Sequence, residues 1–257
     1  MSAAGKRRRA RSSIAEEKGN SRTTNKDLFV IKLSGSLFFS DKFGEFVDMI
    51  KKVLASSKSI RLVLVSGGGL RARRYIEEAK KLGADQATMD EIGIEVSRIN
   101  AMVLISALGN VAYPIVPETL ADVVRAVEVG SAPERRRVVV LGGLHPGQST
   151  NAVAALVAEK LRAERLYNAT DVDAVYTEDP RKSSRAKRLS KVTTKELSSI
   201  LGGESLAAGG YDLMDPIALK LIERSSIPTT ILECDPKTLA GAILKRAKYG
   251  TEVVTHT

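Results

Sequence analysis

Leu62–Val63–Leu64–Val65–Ser66–Gly67–Gly68–Gly69, running into Leu70–Arg71–Ala72–Arg73–Arg74, is the stretch whose reading decides the fold. Four apolar residues in succession read as a strand buried on both faces. They stop at three glycines, and Tyr75, Ile76, Ala79 and Leu82 then recur at helical spacing. A glycine turn between a strand and a helix brings backbone N–H groups close to a phosphate with no Cβ in the way. The positive end of the following helix adds to the attraction. A tight turn also needs glycine for purely steric reasons, so the rest of the chain must carry the choice between the two readings.

Upstream, Leu28–Phe29–Val30–Ile31 with Leu33 reads as a central strand broken at Ser34–Gly35–Ser36. Phe43, Phe46, Val47, Ile50 and Leu54 follow at helical spacing. Strand, helix, strand, helix in this order predicts a parallel sheet with crossover helices. Downstream, Thr88–Leu108 reads as a long helix with Ile92, Val96, Ile99 and Val103 on one stripe, which is either core or a subunit contact. Tyr113–Val116 is a candidate strand with a helix after Pro117. Arg137–Leu141 is a strand ending in Gly142–Gly143, and a helix begins near Ser149. Arg165–Asn168 leads to Val175–Tyr176, residues 177–191 read as a basic loop, and Thr193–Leu201 as a short helix. Gly202, Gly203, Gly209 and Gly210 bracket a loose connection. Asp215–Pro216 is a helix start, with Asp at the N-cap and Pro in the first turn, and Ile217, Leu221 and Ile222 face inward. Pro228–Leu232 and Glu252–Thr255 are late strands around a helix from about Pro236. The class is α/β, with no internal repeat.

The composition narrows the function. A chain of 257 residues with 43% hydrophobic and 27% charged residues has the make-up of a soluble globular protein. Cys234 is the single cysteine, which rules out an intramolecular disulfide and points to the cytosol. No run approaches the ~18 apolar residues of a membrane span, and no secretory apolar segment follows the basic start. The net charge of +10 is concentrated: residues 1–26 hold eight Lys and Arg against Glu16 and Glu17, a net +6. These residues read as a disordered basic arm, and residues 27–257 as the folded domain. Contact of Lys6–Arg9 with nucleic acid is the minority reading, because 4% aromatic residues and no Trp leave little for base stacking.

Three strands end in small, glycine-containing loops: Lys32–Leu33–Ser34–Gly35–Ser36, Ser66–Gly69, and Leu141–Thr150. In an open parallel sheet the strand C-termini share one edge, where ligands bind. An extended phosphate cradle accounts for all three loops together. None is a Walker A loop, and no Gly-x-Gly-x-x-Gly opens a helix. Lys32 interrupts an apolar strand one step before its loop, either as a charge aimed at phosphates or as a structural lysine reaching solvent. Asp171, Asp173 and Asp179 are candidates for Mg²⁺ or ribose, and equally ordinary turn formers. His145 has no second histidine within reach and no cysteine partner, which argues against a triad or a zinc site.

Lys32–Ser36, Gly67–Gly69 with Arg73–Arg74, Gly142–Gly143 through Pro146–Thr150, Ala169–Asp173 with Tyr176 and Asp179–Pro180, and Asp215–Lys220 together resemble the amino acid kinase family. The archaeal-type uridylate (UMP) kinases are the branch they resemble most. The resemblance runs from residue 28 to about 255 and leaves out the arm. It implies a three-layer α/β/α sandwich with a mostly parallel central sheet. A phosphate-acceptor half covers about 27–160 and an ATP half about 161–257. It implies transfer of phosphate from ATP to UMP, with Mg²⁺ held chiefly by phosphates and water and no dedicated metal ligands.

Residue by residue, the resemblance makes Lys32 the catalytic bridge between the ATP phosphates. Leu33, Ser34, Gly35, Ser36, Gly69, Arg73, Thr170, Asp171, Tyr176 and Asp179 join it on ATP, with Tyr176 near the base. Gly68 holds the UMP phosphate, Asp90 reaches the ribose, and Leu144, His145, Pro146, Gly147, Gln148, Ser149 and Thr150 wrap UMP. Position 171 is often Asn in the family and is Asp here, which leaves its ATP contact open; Asn151 carries no assigned role. A homo-oligomer, hexameric by resemblance, is expected. Two alternatives stand beside this reading. One is another kinase of the family acting on isopentenyl phosphate or a carboxylate, against which Ser66 stands where isopentenyl phosphate kinases place a His. The other is a nucleotide-binding storage or regulatory protein without turnover.

Overall fold

The computed structural model describes residues 24–129, 137–180, 182–202 and 213–255. Most of the basic arm, Gly203, Gly209, Gly210 and His256 lie outside these residues. The strands are β1 (Asn25–Leu33), β2 (Arg61–Ser66), β3 (Val138–Leu141), β4 (Ala163–Thr170), β5 (Val175–Tyr176), β6 (Arg188–Leu189), β7 (Lys191–Thr193), β8 (Thr229–Glu233) and β9 (Thr251–Val254). The helices are α1 (Lys42–Ser56), α2 (Gly69–Lys81), α3 (Gln86–Leu108), α4 (Leu120–Val129), α5 (Thr150–Leu161), α6 (Thr194–Leu201), α7 (Pro216–Ser225) and α8 (Pro236–Lys245).

Seven strands form one sheet in the order β3-β2-β1-β4-β8-β9-β7, and β5 pairs with β6 in a separate antiparallel hairpin. From β3 to β8 every pairing is parallel; only β8 with β9 is antiparallel. The two faces are packed by different helices. Leu28, Val30, Val63, Val139 and Leu166 face α4, α5, α6 and α7, while Phe29, Ile31, Leu64, Val140 and Tyr167 face α1, α3 and α8. Burial on both faces explains why β1 and β2 read as continuous apolar runs. The fold is the expected three-layer α/β/α sandwich.

Several local expectations are corrected. Tyr113–Val116 is not a strand, since only Ala112 makes a lone bridge, to Val138. Residues 177–191 are not all loop, because β6 and the start of β7 fall within them. β1 begins at Asn25, whose side-chain amide donates to Leu161 O at 2.6 Å, two residues ahead of the expected boundary. On α2 only Ala72 is buried, and Tyr75 and Leu82 of the apolar pattern are exposed, because the helix packs on α3 rather than on the sheet. On α7, Leu221 packs partly buried and Ile222 fully buried against the core as expected, joined by Ala218 and Leu219, while Ile217 is exposed.

α3 buries Ile94, Val96, Ser97, Ala101, Leu104 and Leu108; of the expected stripe Val96 is therefore core, while Ile99 and Val103 are exposed, with Met102 beside them. No apolar run spans it, yet within Gln86–Val111 an 18-residue window reaches a mean hydropathy of 1.4, enough by length and composition to cross a membrane. A core helix of a globular domain passes the same test, and 39% of the relevant window is buried inside the molecule.

Candidate active site

Lys32 sits one residue before the end of β1, level with Val65 of β2 and Asn168 of β4. Its side of the sheet is the α5 side, set by the alternation Leu28, Val30, Lys32. Around it the C-terminal ends of β1, β2 and β4 open into a cavity of about 390 Å³. Ser34, Gly35 and Ser36 form one wall; Gly67, Gly68, Gly69, Leu70 and Arg73 form a second. Thr170, Asp171 and Val172 come from the end of β4, Ser149, Thr150 and Asn151 from the start of α5, and Leu213 and Asp215 from the approach to α7. The N-termini of α2, α5 and α7 therefore converge on one space. Each turns the positive end of its dipole toward that space, the setting that attracts phosphate.

Two close contacts fix the walls. A Cβ on Gly35 would fall inside the backbone nitrogen of Gly69, and one on Gly69 would lie 2.7 Å from Gly35 C. The first two loops thus touch backbone to backbone, which only glycine allows. From behind, Asn100 of α3 donates Nδ2 to Gly67 O at 2.8 Å.

Polar side chains lock the remaining walls together. Ser36 Oγ donates to Asp171 Oδ1 at 2.6 Å, joining the loop after β1 to the loop after β4. Ser149 caps α5, accepting from the backbone of Asn151 at 3.0 Å and Ala152 at 3.1 Å. Asp215 caps α7 through Ile217 N (2.9 Å) and Ala218 N (3.0 Å), while its other oxygen bonds Ser149 Oγ. Asn168 Nδ2 donates to Leu213 O at 2.5 Å. The side-chain amide oxygens of Asn151 and Asn168 are buried with no hydrogen-bond partner among the described residues.

The charge balance is mixed. Lys32 and Arg73 share the cavity with two carboxylates, Asp171 and Asp215. Cys234 lies alongside, its N–H bonded to Thr170 O at 2.8 Å. Burial pushes its thiol up to about 11, so it stays protonated at neutral pH and is no nucleophile.

Of the residues expected on ATP, Lys32, Ser34, Gly35, Ser36, Gly69, Arg73, Thr170 and Asp171 line the cavity. Leu33 does not, and its side chain is fully buried on the opposite face of the sheet. Tyr176 and Asp179 stand further out, past the end of β4. Tyr176 donates its hydroxyl to Asp173 Oδ1 at 2.9 Å, a bond that raises its pKa, and Arg188 Nε donates to Asp173 Oδ2 at 3.1 Å. Of those expected on UMP, Gly68, Ser149 and Thr150 line the cavity. Leu144 is buried in the core. His145, Pro146, Gly147 and Gln148 form a turn outside it, tied to α3 by Gly147 N donating to Asp90 Oδ2 at 2.7 Å.

Asp215 and Asn151 belong to the cavity and were not expected there. The Asp215–Pro216 pair shows only a helix cap in sequence, and nothing local joins it to Ser149, 66 positions away.

A glycine-lined, lysine-centred cavity at the C-terminal edge of a parallel sheet, met by three helix N-termini, defines a phosphate- or nucleotide-binding α/β protein. The comparisons with known proteins narrow that class. Residues 27–233 match the amino acid kinase family. The chain is 40% identical over 229 residues to a uridylate kinase of Methanoculleus marisnigri, covering 87% of this chain and 94% of that one. It is 42% identical over 205 residues to a uridylate kinase of Sulfolobus acidocaldarius, covering 79% and 87%. The crystal structure of a uridylate kinase from Archaeoglobus fulgidus superposes with a TM-score of 0.75 at 35% identity, over 88% of this chain and 99% of that one. This chain belongs to the amino acid kinase family.

Proposed function

We propose that this protein is a UMP kinase, transferring the γ-phosphate of ATP directly to the phosphate of UMP in pyrimidine nucleotide synthesis. The observation that carries the reading is the single cavity in which Lys32 stands between two glycine loops, one from each neighbouring strand end. The uridylate kinase relatives, each matched over most of its length, support the choice of acceptor.

In this reading the UMP phosphate oxygen attacks the γ-phosphorus in line as the bond to the ADP oxygen breaks. That oxygen is already ionised, so no general base is needed. A loose transition state asks for alignment and charge neutralisation. Lys32 supplies charge at the transferring group and Arg73 joins it on ATP. The N–H groups of Gly35, Ser36, Gly68 and Gly69 hold phosphate oxygens. Thr170, Asp171, Tyr176 and Asp179 take the adenosine side, with Asp173 and Arg188 bracing the Tyr176 hydroxyl. Asp90 and residues 144–150 take the UMP side. Mg²⁺ bound with ATP would supply neutralisation of phosphate charge, held chiefly by the phosphates and water. Asp171 and Asp215 are the carboxylates of the cavity fitted to accept from that water.

In this reading an acceptor half of about 27–160 adjoins an ATP half of about 161–257, a division with which the pairing of β1 and β4 is consistent. The protein works in the cytosol as a homo-oligomer, a hexamer by family resemblance, with Ile99, Met102 and Val103 of α3 as the apolar contact between copies. The test is a panel of nucleoside monophosphates, isopentenyl phosphate and small carboxylates offered with ATP and Mg²⁺, read as ADP release. Release with UMP above all others is expected. Release only with another acceptor, or none with any, overturns the assignment.

A further inference from the structure

The other end of the sheet carries a second concavity, of about 460 Å³. The strand registers bring Lys191, Glu252, Thr230 and Tyr167 into one row across β7, β9, β8 and β4, so all four side chains leave the same face. α8 covers the Tyr167 end, where the hydroxyl donates to Ala242 O at 3.0 Å. At the other end Lys191 stays exposed. The segment after α8, carrying Lys248 and Tyr249, closes the side. This place is separate from the phosphate cavity. Arg165, on its floor, lies five residues back along β4 from Thr170, roughly 17 Å at the rise of a strand.

Its arginines are already committed. Arg165 donates to Thr230 Oγ1 at 2.9 Å and pairs with Glu252 at 3.8 Å. Arg246 binds Glu164 and Asp27, each at 2.7 Å, and Arg188 binds Asp173. Lys191, Lys248 and the Tyr249 hydroxyl line the same space and have no hydrogen-bond or ion-pair partner among the described residues. The Tyr249 ring rests on α8 because position 241 is glycine, where a Cβ would come within 2.8 Å of Tyr249 Cε2. Even so, 42% of the residue is open. In a chain with 4% aromatic residues, an exposed ring beside two unpaired ammonium groups is a specific chemistry. Ammonium groups bind phosphate oxygens, and an aromatic face stacks a base.

We propose that this cavity is a second, non-catalytic site for a nucleoside phosphate, with Lys191 and Lys248 on its phosphates and Tyr249 beneath its base. The chain has no Trp, so Tyr249→Trp places the sole indole of the protein in the cavity. ATP and inorganic triphosphate are the probes. Both change the indole emission saturably, and ATP binds more tightly because it alone carries a base. Adding Lys191→Glu and Lys248→Glu weakens both at least tenfold; adding Lys32→Ala in their place leaves both unaltered.

Equilibrium dialysis on the unlabelled protein counts two ATP per chain, and one in the Lys191→Glu, Lys248→Glu variant. An unresponsive indole, a response that survives the charge reversals, or one lost with Lys32→Ala overturns the site. Equal affinity for the two probes overturns the nucleoside assignment. UDP formation, measured alongside, is unchanged by the lysine reversals, so this test and that of the acceptor fail independently.

Discussion

Two glycine loops that look alike in sequence serve different neighbours. Gly67–Gly69, after β2, lines the phosphate cavity and touches Gly35 backbone to backbone. Gly142–Gly143, after β3, lines no part of that cavity. A Cβ on Gly142 would lie 2.5 Å from Ser97 Oγ, and one on Gly143 would lie 2.8 Å from Ile94 Cγ1. There the missing side chains let α3 press against the end of β3, and Gly143 N donates to Ser97 Oγ at 2.8 Å. Glycine after a strand announces a close approach without saying what approaches. In the first loop it is another loop, at the wall of the cavity; in the second it is a helix.

Substitutions on the two sides should therefore fail in different ways. The largest effect is expected at Lys32, the charge at the centre of the first region. Lys32→Ala should lower kcat for UMP by about 10²–10³-fold with little change in UMP affinity, and unchanged turnover would refute its role. Gly35→Ala should come next. Its Cβ must displace Gly69, and a shift of ~1 Å at reacting groups costs about 10²-fold; steady-state kinetics on folded protein measure this.

Asp90→Ala sits between the regions, because Asp90 holds the turn at Gly147 from α3. We expect KM for UMP to rise about tenfold, the worth of ~1.4 kcal/mol, with KM for ATP unmoved. An equal rise for both would contradict the assignment. Gly142→Ala should sharpen the contrast most, lowering stability by about 1–3 kcal/mol through overpacking against Ser97. Denaturant melts read that loss, while turnover per folded molecule stays at the parent value. The smallest effect is for removal of residues 1–23, which spares the Asn25 bonds that anchor β1 and should leave UDP formation intact.

Legibility in the sequence followed the range of the interaction that made each feature. β1, β2, α1 and α5 were readable because their residues are buried in a local period, and α7 because Asp215 caps its own first turn. α2 was readable as a helix, yet its apolar stripe pointed to a core that is not beneath it, since α3 and not the sheet is its support. β6 and β7 are two- and three-residue strands in a basic segment, made by pairing with β5 and β9 rather than by propensity. In the cavity, the lysine and glycines announce themselves by breaking an apolar pattern. Asn151 and Asp215 do not, because polar residues at helix starts are ordinary.

By itself, then, the sequence determined the α/β class, the strand ends at which loops gather, Lys32 as the charge out of place, and the family resemblance. The first three are properties of period and composition, written within a few residues of one another, while the resemblance rests on motifs spread from residue 28 to about 255. Tertiary structure decided which glycine loop faces the cavity and which faces α3, that Asp215 shares Ser149 across 66 positions, and that Lys191, Lys248 and Tyr249 meet at the far end of the sheet. Those depend on strand order and helix seating, and contacts between segments distant in the chain leave no local period to read.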